Sequence, residues 1–198
     1  MKHLKLFENF DNNSIEDICK QYNIYDYTIN SDGSIDVDGS VYLYELELTR
    51  LPLKFNTIKG NFIIRDCKYT TLEGCPKYVG GTFNCSNNDL NSLKYSPEYV
   101  GGIFNCSNNN LTSLEGCPSV VIEKIFCHNN DMETLIGIPE DFNGEFISNQ
   151  RLMVIYELLK DNLEYVRNFY EYGIITNLKE YTQTFNWKRF IKFWDWCF

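Results

Sequence analysis

Apolar residues return along this chain every 21 positions. Between Gly81 and Val121 the pattern is written twice: Phe83 recurs as Phe104, Cys85 as Cys106, Leu90 as Leu111, Leu93 as Leu114 and Val100 as Val121. One period earlier lie Phe62, Ile64 and Leu72, and one before that Val41, Leu43 and Leu51. One period later come Ile125, Cys127, Met132 and Leu135, then Phe146, where the pattern stops. About five units therefore begin at Gly39, Gly60, Gly81, Gly102 and Glu123, and a terminal strand follows Gly144. Self-similarity at such a period predicts a solenoid, in which each unit is one turn that buries its apolar face on the next. Within a unit, Phe104 and Cys106 alternate with Ile103, Asn105 and Ser107, the two-residue period of a strand with one buried face. The expected product is a parallel sheet of about six strands, centred on Val41, Phe62, Phe83, Phe104, Ile125 and Phe146.

The polar positions repeat as well. Asn88, Asn109 and Asn130 stand where the chain leaves the strand, and a buried amide there is expected to satisfy backbone groups that the turn leaves unpaired. Asn108, one residue earlier, is expected to point outward and to matter little. Pro76, Pro97, Pro118 and Pro139 suit a bend that needs no backbone donor. Glycine pairs ahead of the strands suit a tight or left-handed entry. The asparagine position is Cys67 in the second unit and Leu46 in the first. Leucine cannot bond the turn, so a distorted first unit is expected.

The order apolar-x-apolar-x-x-Asn-x-apolar-x-x-apolar, as in Phe104 to Leu114, resembles the leucine-rich repeat. More narrowly, the wording NCSNNxLxSLxGCPxxVGG is similar to short repeats in proteins of large tailed bacteriophages, and the leader Lys2 to Phe10 is similar to the start of several of them. This resemblance covers residues 39–149 and implies an architecture and a viral source, with no reaction attached. It gives the fold expectation its name: an α/β solenoid, a leucine-rich repeat coil with a parallel sheet.

Solenoid ends expose core and need covering. Residues 1–38 are expected to form an N-terminal cap. Asn12 to Tyr22 reads as a helix with Ser14 as N-cap and Asp17 at N3. Tyr25 to Val37 reads as a hairpin turning at Asp32-Gly33. Residues 150–198 change to a helical period: Leu152, Ile155, Tyr156 and Leu159 share a face, and so do Trp187, Phe190, Ile191 and Trp194. This helical C-terminal cap holds 13 aromatic residues among 49. A cap needs fewer, so Trp187, Trp194 and Trp196 are an alternative partner or oligomer surface.

Charge and chemistry narrow the function. The chain has 198 residues and a net charge of −9, a poor match for phosphate backbones, so no nucleic-acid partner is expected. No apolar run approaches the ~20 residues of a membrane span, and charged residues interrupt the leader, so no membrane partner and a cytoplasmic location are expected, in a host cell if the source is viral. Eight cysteines form no CxxC. Cys85, Cys106 and Cys127 follow the repeat and are expected to stack as a buried column of free thiols, with no metal and no cofactor. Asp32 to Asp38 has carboxylates at spacing two, as calcium loops do, but lacks their bidentate glutamate. No catalytic constellation appears, and enzymatic activity is not expected.

What remains is the outward, concave face of the parallel strands. Its middle units are small and polar, whereas Tyr42, Tyr44, Ile63, Arg65, Lys124, Phe126 and His128 flank them. Aromatic residues and arginine on an exposed sheet have the composition of binding hot spots, although strand propensity alone also favours Tyr, Phe and Ile. The expected function is a non-enzymatic protein-binding module, with an inhibitor of a host defence protein as a special case. A structural, virion-associated or oligomerising protein is the alternative.

Overall fold

The computed structural model describes residues 14–132, 136–139, 142 and 144–149. They form a β-solenoid of about five turns. Six parallel strands make the repeat sheet: β3 (Val41–Tyr42), β5 (Phe62–Ile63), β7 (Phe83–Asn84), β9 (Ile103–Asn105), β11 (Lys124–Phe126) and β12 (Glu145–Ile147). Val41 pairs with Phe62, Phe62 with Phe83, Phe83 with Phe104, Phe104 with Ile125 and Ile125 with Phe146, the register that the 21-residue period predicts. Burial drives this alignment, because a slip of one residue would turn each phenylalanine to solvent. The rings stack down the interior, Phe62 on Phe83 at 5.8 Å and Phe83 on Phe104 at 5.7 Å.

Each turn also contains a second strand, which the periodicity did not announce. β4 (Phe55–Ile58), β6 (Tyr78–Val79), β8 (Tyr99–Val100) and β10 (Val120–Val121) pair in parallel as a return sheet. Phe55, Ile58, Val79, Val100 and Val121 point inward and close the core from that side. The return arm of the coil is therefore extended chain, and the α/β label does not fit the described residues. Their one helix is α1, Ile15–Gln21. Its N-cap is Ser14, whose hydroxyl accepts from the Asp17 N–H at 3.1 Å, and it buries Ile18 and Cys19 in the common core. The hairpin follows as β1 (Tyr27–Ile29) and β2 (Ile35–Val37), antiparallel to each other. β2 then pairs in parallel with β4, so the hairpin continues the return sheet. The helical cap over residues 150–198 lies outside the described residues.

Asparagines join successive turns. Asn109 is buried; its Oδ1 accepts from the Leu90 N–H at 3.0 Å, and its Nδ2 donates to the Cys85 and Cys106 carbonyls, both at 3.1 Å. Asn88 and Asn130 repeat the arrangement one turn to either side. Cys67 takes over the donating half, its thiol pointing at the Leu43 and Arg65 carbonyls at 3.4 Å.

Three sequence expectations need correction. The first unit is regular at its turn, where Glu45 has φ 56° against 54° at Asp66 and 55° at Asn87, and its irregularity lies in the return strand, where the pairing of β2 with β4 shifts register between Ile35 and Asp36. Each ladder amide bonds a carbonyl 24 residues earlier, and for Leu46 that residue is Tyr22, just past α1. Tyr22 caps a helix rather than ending a strand of the coil, and Leu46 packs against the core instead. Secondly, Asn108 is not idle. It sits at φ 54° in a left-handed column with Asp66, Asn87 and Asn129, and its Oδ1 accepts from the Asn129 amide at 2.7 Å. Asparagine tolerates that conformation better than most residues. Thirdly, the paired glycines are not left-handed. A Cβ on Gly80 would lie 2.1 Å from the Lys59 carbonyl oxygen, and one on Gly101 would lie 2.2 Å from that of Gly80. At these two corners the coils approach backbone to backbone and glycine fits, although the same place in the flanking coils holds Lys59 and Ile122.

Candidate functional site

The repeat sheet lines up one outward side chain per strand. Tyr42, Ile63, Asn84, Asn105, Phe126 and Ile147 form a single column, fixed by the strand register. Two residues further on, Tyr44, Arg65, Ser86, Ser107, His128 and Asn149 occupy equivalent places in the turn that follows each strand. The residues singled out from sequence thus lie on one face, in two groups. Neighbouring strands are ~4.8 Å apart, so the strands of Tyr42 and Phe126, four steps apart, are separated by ~19 Å.

The first group is a connected cluster. Tyr42 and Tyr44 meet edge to face at 6.4 Å, and the Arg65 guanidinium lies over the Tyr44 ring at 4.9 Å. Arg65 also pairs with Asp66 and, at 3.9 Å, with Glu45. Tyr42 and Tyr44 remain 52% and 41% exposed. Held between an arginine and each other, the rings need lose little side-chain freedom on binding. The second group repeats the ring geometry: Phe126 and His128 meet edge to face at 6.4 Å. Beside them Lys124 pairs with Glu145 at 2.5 Å. The cations of both groups are thus offset by carboxylates, and the face has no strong positive field.

Between the groups the structure departs from the sequence expectation. Ser86 and Ser107 are buried, at 5% and 2% exposure, rather than outward. Asn84 Oδ1 accepts both the Ser86 N–H at 3.0 Å and the Ser86 hydroxyl at 2.7 Å. Asn105 and Ser107 do the same at 3.0 and 2.6 Å. These are asparagine turns that tuck the serine under the strand end. Tyr44 and His128 at the flanking positions cannot be tucked in this way. His128 nonetheless has its Nδ1 buried without a partner.

Other features were not read from the sequence. On the return sheet, Tyr78 and Tyr99 stack at 4.7 Å with planes 5° apart, and Val120 and Ile122 are exposed beyond them. The recurrence of a Tyr-Val pair at residues 78–79 and 99–100, ahead of each glycine pair, was the available signal. Tyr95 stands between Gly74 and Gly116 in a column that runs from Leu53 to Gly137, and it adopts φ 71° with half its surface exposed. It borders a shallow groove of about 880 Å³ between Leu51, Pro76 and Lys77.

Burial makes the thiols poor nucleophiles. It pushes Cys127 up to about 12 and raises Cys85 and Cys106 in the same direction, so the column is hydrophobic filling. Among the described residues no group of three His, Cys, Asp or Glu could hold a metal ion, and no helix is long and apolar enough to cross a membrane. Trp187, Trp194 and Trp196 lie outside the described residues. No protein family, no curated protein and no solved structure matches this chain.

Proposed function

We propose that this protein is a non-enzymatic protein-binding module, and that the outward face of the repeat sheet holds its partner. The observation that carries the reading is the placement of large side chains. Tyr42, Tyr44 and Arg65 form one pre-packed group and Phe126 with His128 another, on a face whose middle coils present Asn84 and Asn105 with Thr82 and Ile103 beside them. Exposed, immobilised aromatic rings give contact area at low entropic cost, which is why such residues dominate binding energy. In keeping with the repeat wording, the protein is a leucine-rich-repeat protein of tailed-bacteriophage type, acting in the host cytoplasm. Inhibition of a host defence protein is the activity that suits a small acidic binder.

The test begins with affinity purification from host cells and mass spectrometry to identify a partner. Tyr44→Ala with Phe126→Ala should then weaken the complex about thirtyfold or more, with the melting temperature nearly unchanged. The aromatic composition of residues 150–198 favours a second reading, a structural or oligomerising protein that docks through Trp187 and Trp194. Normal binding by the double variant, with loss on Trp187→Ala or Trp194→Ala, would support that reading instead.

A further inference from the structure

The orientation of the Asn84 and Asn105 amides is set by what bonds their oxygens. Each Oδ1 accepts a backbone N–H, from Ser86 or Ser107. A backbone N–H can only donate, so the oxygen end is the one turned into the fold. Each Nδ2 is therefore the free end, and among the described residues neither has a protein acceptor. Along the outward column the order is apolar at Tyr42 and Ile63, amide at Asn84 and Asn105, then apolar at Phe126 and Ile147. Because Ser86 and Ser107 are buried, the amides have an outward neighbour on one side only, Thr82 beside Asn84 and Ile103 beside Asn105.

We infer that this strip binds an extended peptide segment of the partner, apolar at both ends, whose central residues place carbonyl or carboxylate oxygens on the Asn84 and Asn105 amides. The inference rests on the proposal that this face is the binding surface. Two adjacent NH₂ groups offer donors and no free acceptor, so the complementary group is an acceptor without a donor. Five strand spacings give a strip of ~24 Å, the length of about seven residues of extended chain. A strip of this length and two side chains wide at its middle fits such a chain better than it fits a folded surface. The net charge of −9 argues against nucleic acid as the source of the acceptors.

Asn→Asp separates the two ends of the amide. It keeps an oxygen to hold the serine and replaces the outward NH₂ by a second oxygen. Random eight-residue peptides displayed on bacteria would be selected on the immobilised full chain. The expected winners are apolar at both ends with Asp, Glu, Asn or Gln between. Asn84→Asp with Asn105→Asp should melt as the wild type does and bind the selected peptides at least about tenfold more weakly. Acid-centred peptides should lose more than amide-centred ones, which distinguishes carboxylate from carbonyl recognition. If the double Asp variant melts early, Asn105→Asp alone gives the same readout. Equal binding to the Asp variants, or no enrichment at all, overturns the inference. Peptides lost on Tyr44→Ala with Phe126→Ala but indifferent to Asp would leave the face in place and remove the amide role. Peptides indifferent to both pairs would remove both.

Discussion

Replacing Asn109 by alanine removes a contact whose cost can be worked out bond by bond. The Cys85 carbonyl keeps the Asn88 amide at 3.0 Å and the Cys106 carbonyl keeps the Asn130 amide at 3.0 Å, so neither is orphaned. The Leu90 N–H is different: Asn109 Oδ1 is its acceptor, and Leu90 is fully buried. An unsatisfied buried donor costs ~1–3 kcal/mol, and the void left by the amide adds to it. A loss of about 2 kcal/mol is expected, roughly 4–8 °C in melting temperature for a chain of this size. Asn109→Cys should recover only part of the void, because a thiol supplies the donating half, as at Cys67, and leaves the Leu90 N–H without its acceptor. Asn108→Ala should cost about 1 kcal/mol through its left-handed backbone and its bond to Asn129, and Asn108→Gly should recover most of that. Urea and thermal melts of the four variants are the assay. An Asn109→Ala variant within 0.5 kcal/mol of wild type, by rough precision of such melts, would refute the ladder reasoning.

Gly101→Ala should destabilise by ~1–3 kcal/mol, because its Cβ would sit 2.2 Å from the Gly80 carbonyl oxygen; Gly39→Ala, with nothing within 4 Å, is the matched control and should melt like wild type. The buried thiols predict alkaline lability. Below pH 9, the ordinary value for these thiols, they are protonated in both states, and their effect on stability is constant; as the pH rises from 9 towards 12 the unfolded chain loses protons that Cys127 retains when folded, so stability falls. Urea midpoints at rising pH should decline across that window, with a shallower decline in Cys127→Val, and a flat profile would contradict the burial of the column.

The coil was legible because its signal is long-range and redundant. Phe62, Phe83 and Phe104 share one offset, and only a stacked register buries all three. The asparagine ladder was legible for the same reason, since a polar residue at a fixed place in an apolar repeat must be satisfied locally. The return sheet was not. Its later strands are two residues long, and a Tyr-Val pair is too short to show alternation. At the candidate face, the large residues were found by composition alone, whereas the burial of Ser86 and Ser107 depends on a turn that folds the chain under Asn84 and Asn105. A strict alternation of inward and outward residues runs through that turn as if it were strand. Tyr95 was passed over because a mismatch in a mostly glycine column says nothing about backbone conformation until φ is known.

Exposed tyrosines report on three separate surfaces, which gives the most direct test of the binding face. Tyr42 and Tyr44 lie on the repeat sheet, Tyr78 on the return sheet at 41% exposure, and Tyr95 at the groove at 50%. Hydroxyl-radical footprinting of the protein with its captured partner, read by mass spectrometry, compares them in one experiment. Protection of Tyr42, Tyr44 and Phe126, with Tyr78 and Tyr95 oxidised as in the free protein, is the predicted result. Protection of Tyr78, Tyr95, Trp187 or Trp194, with Tyr42 and Tyr44 still reactive, would contradict the account.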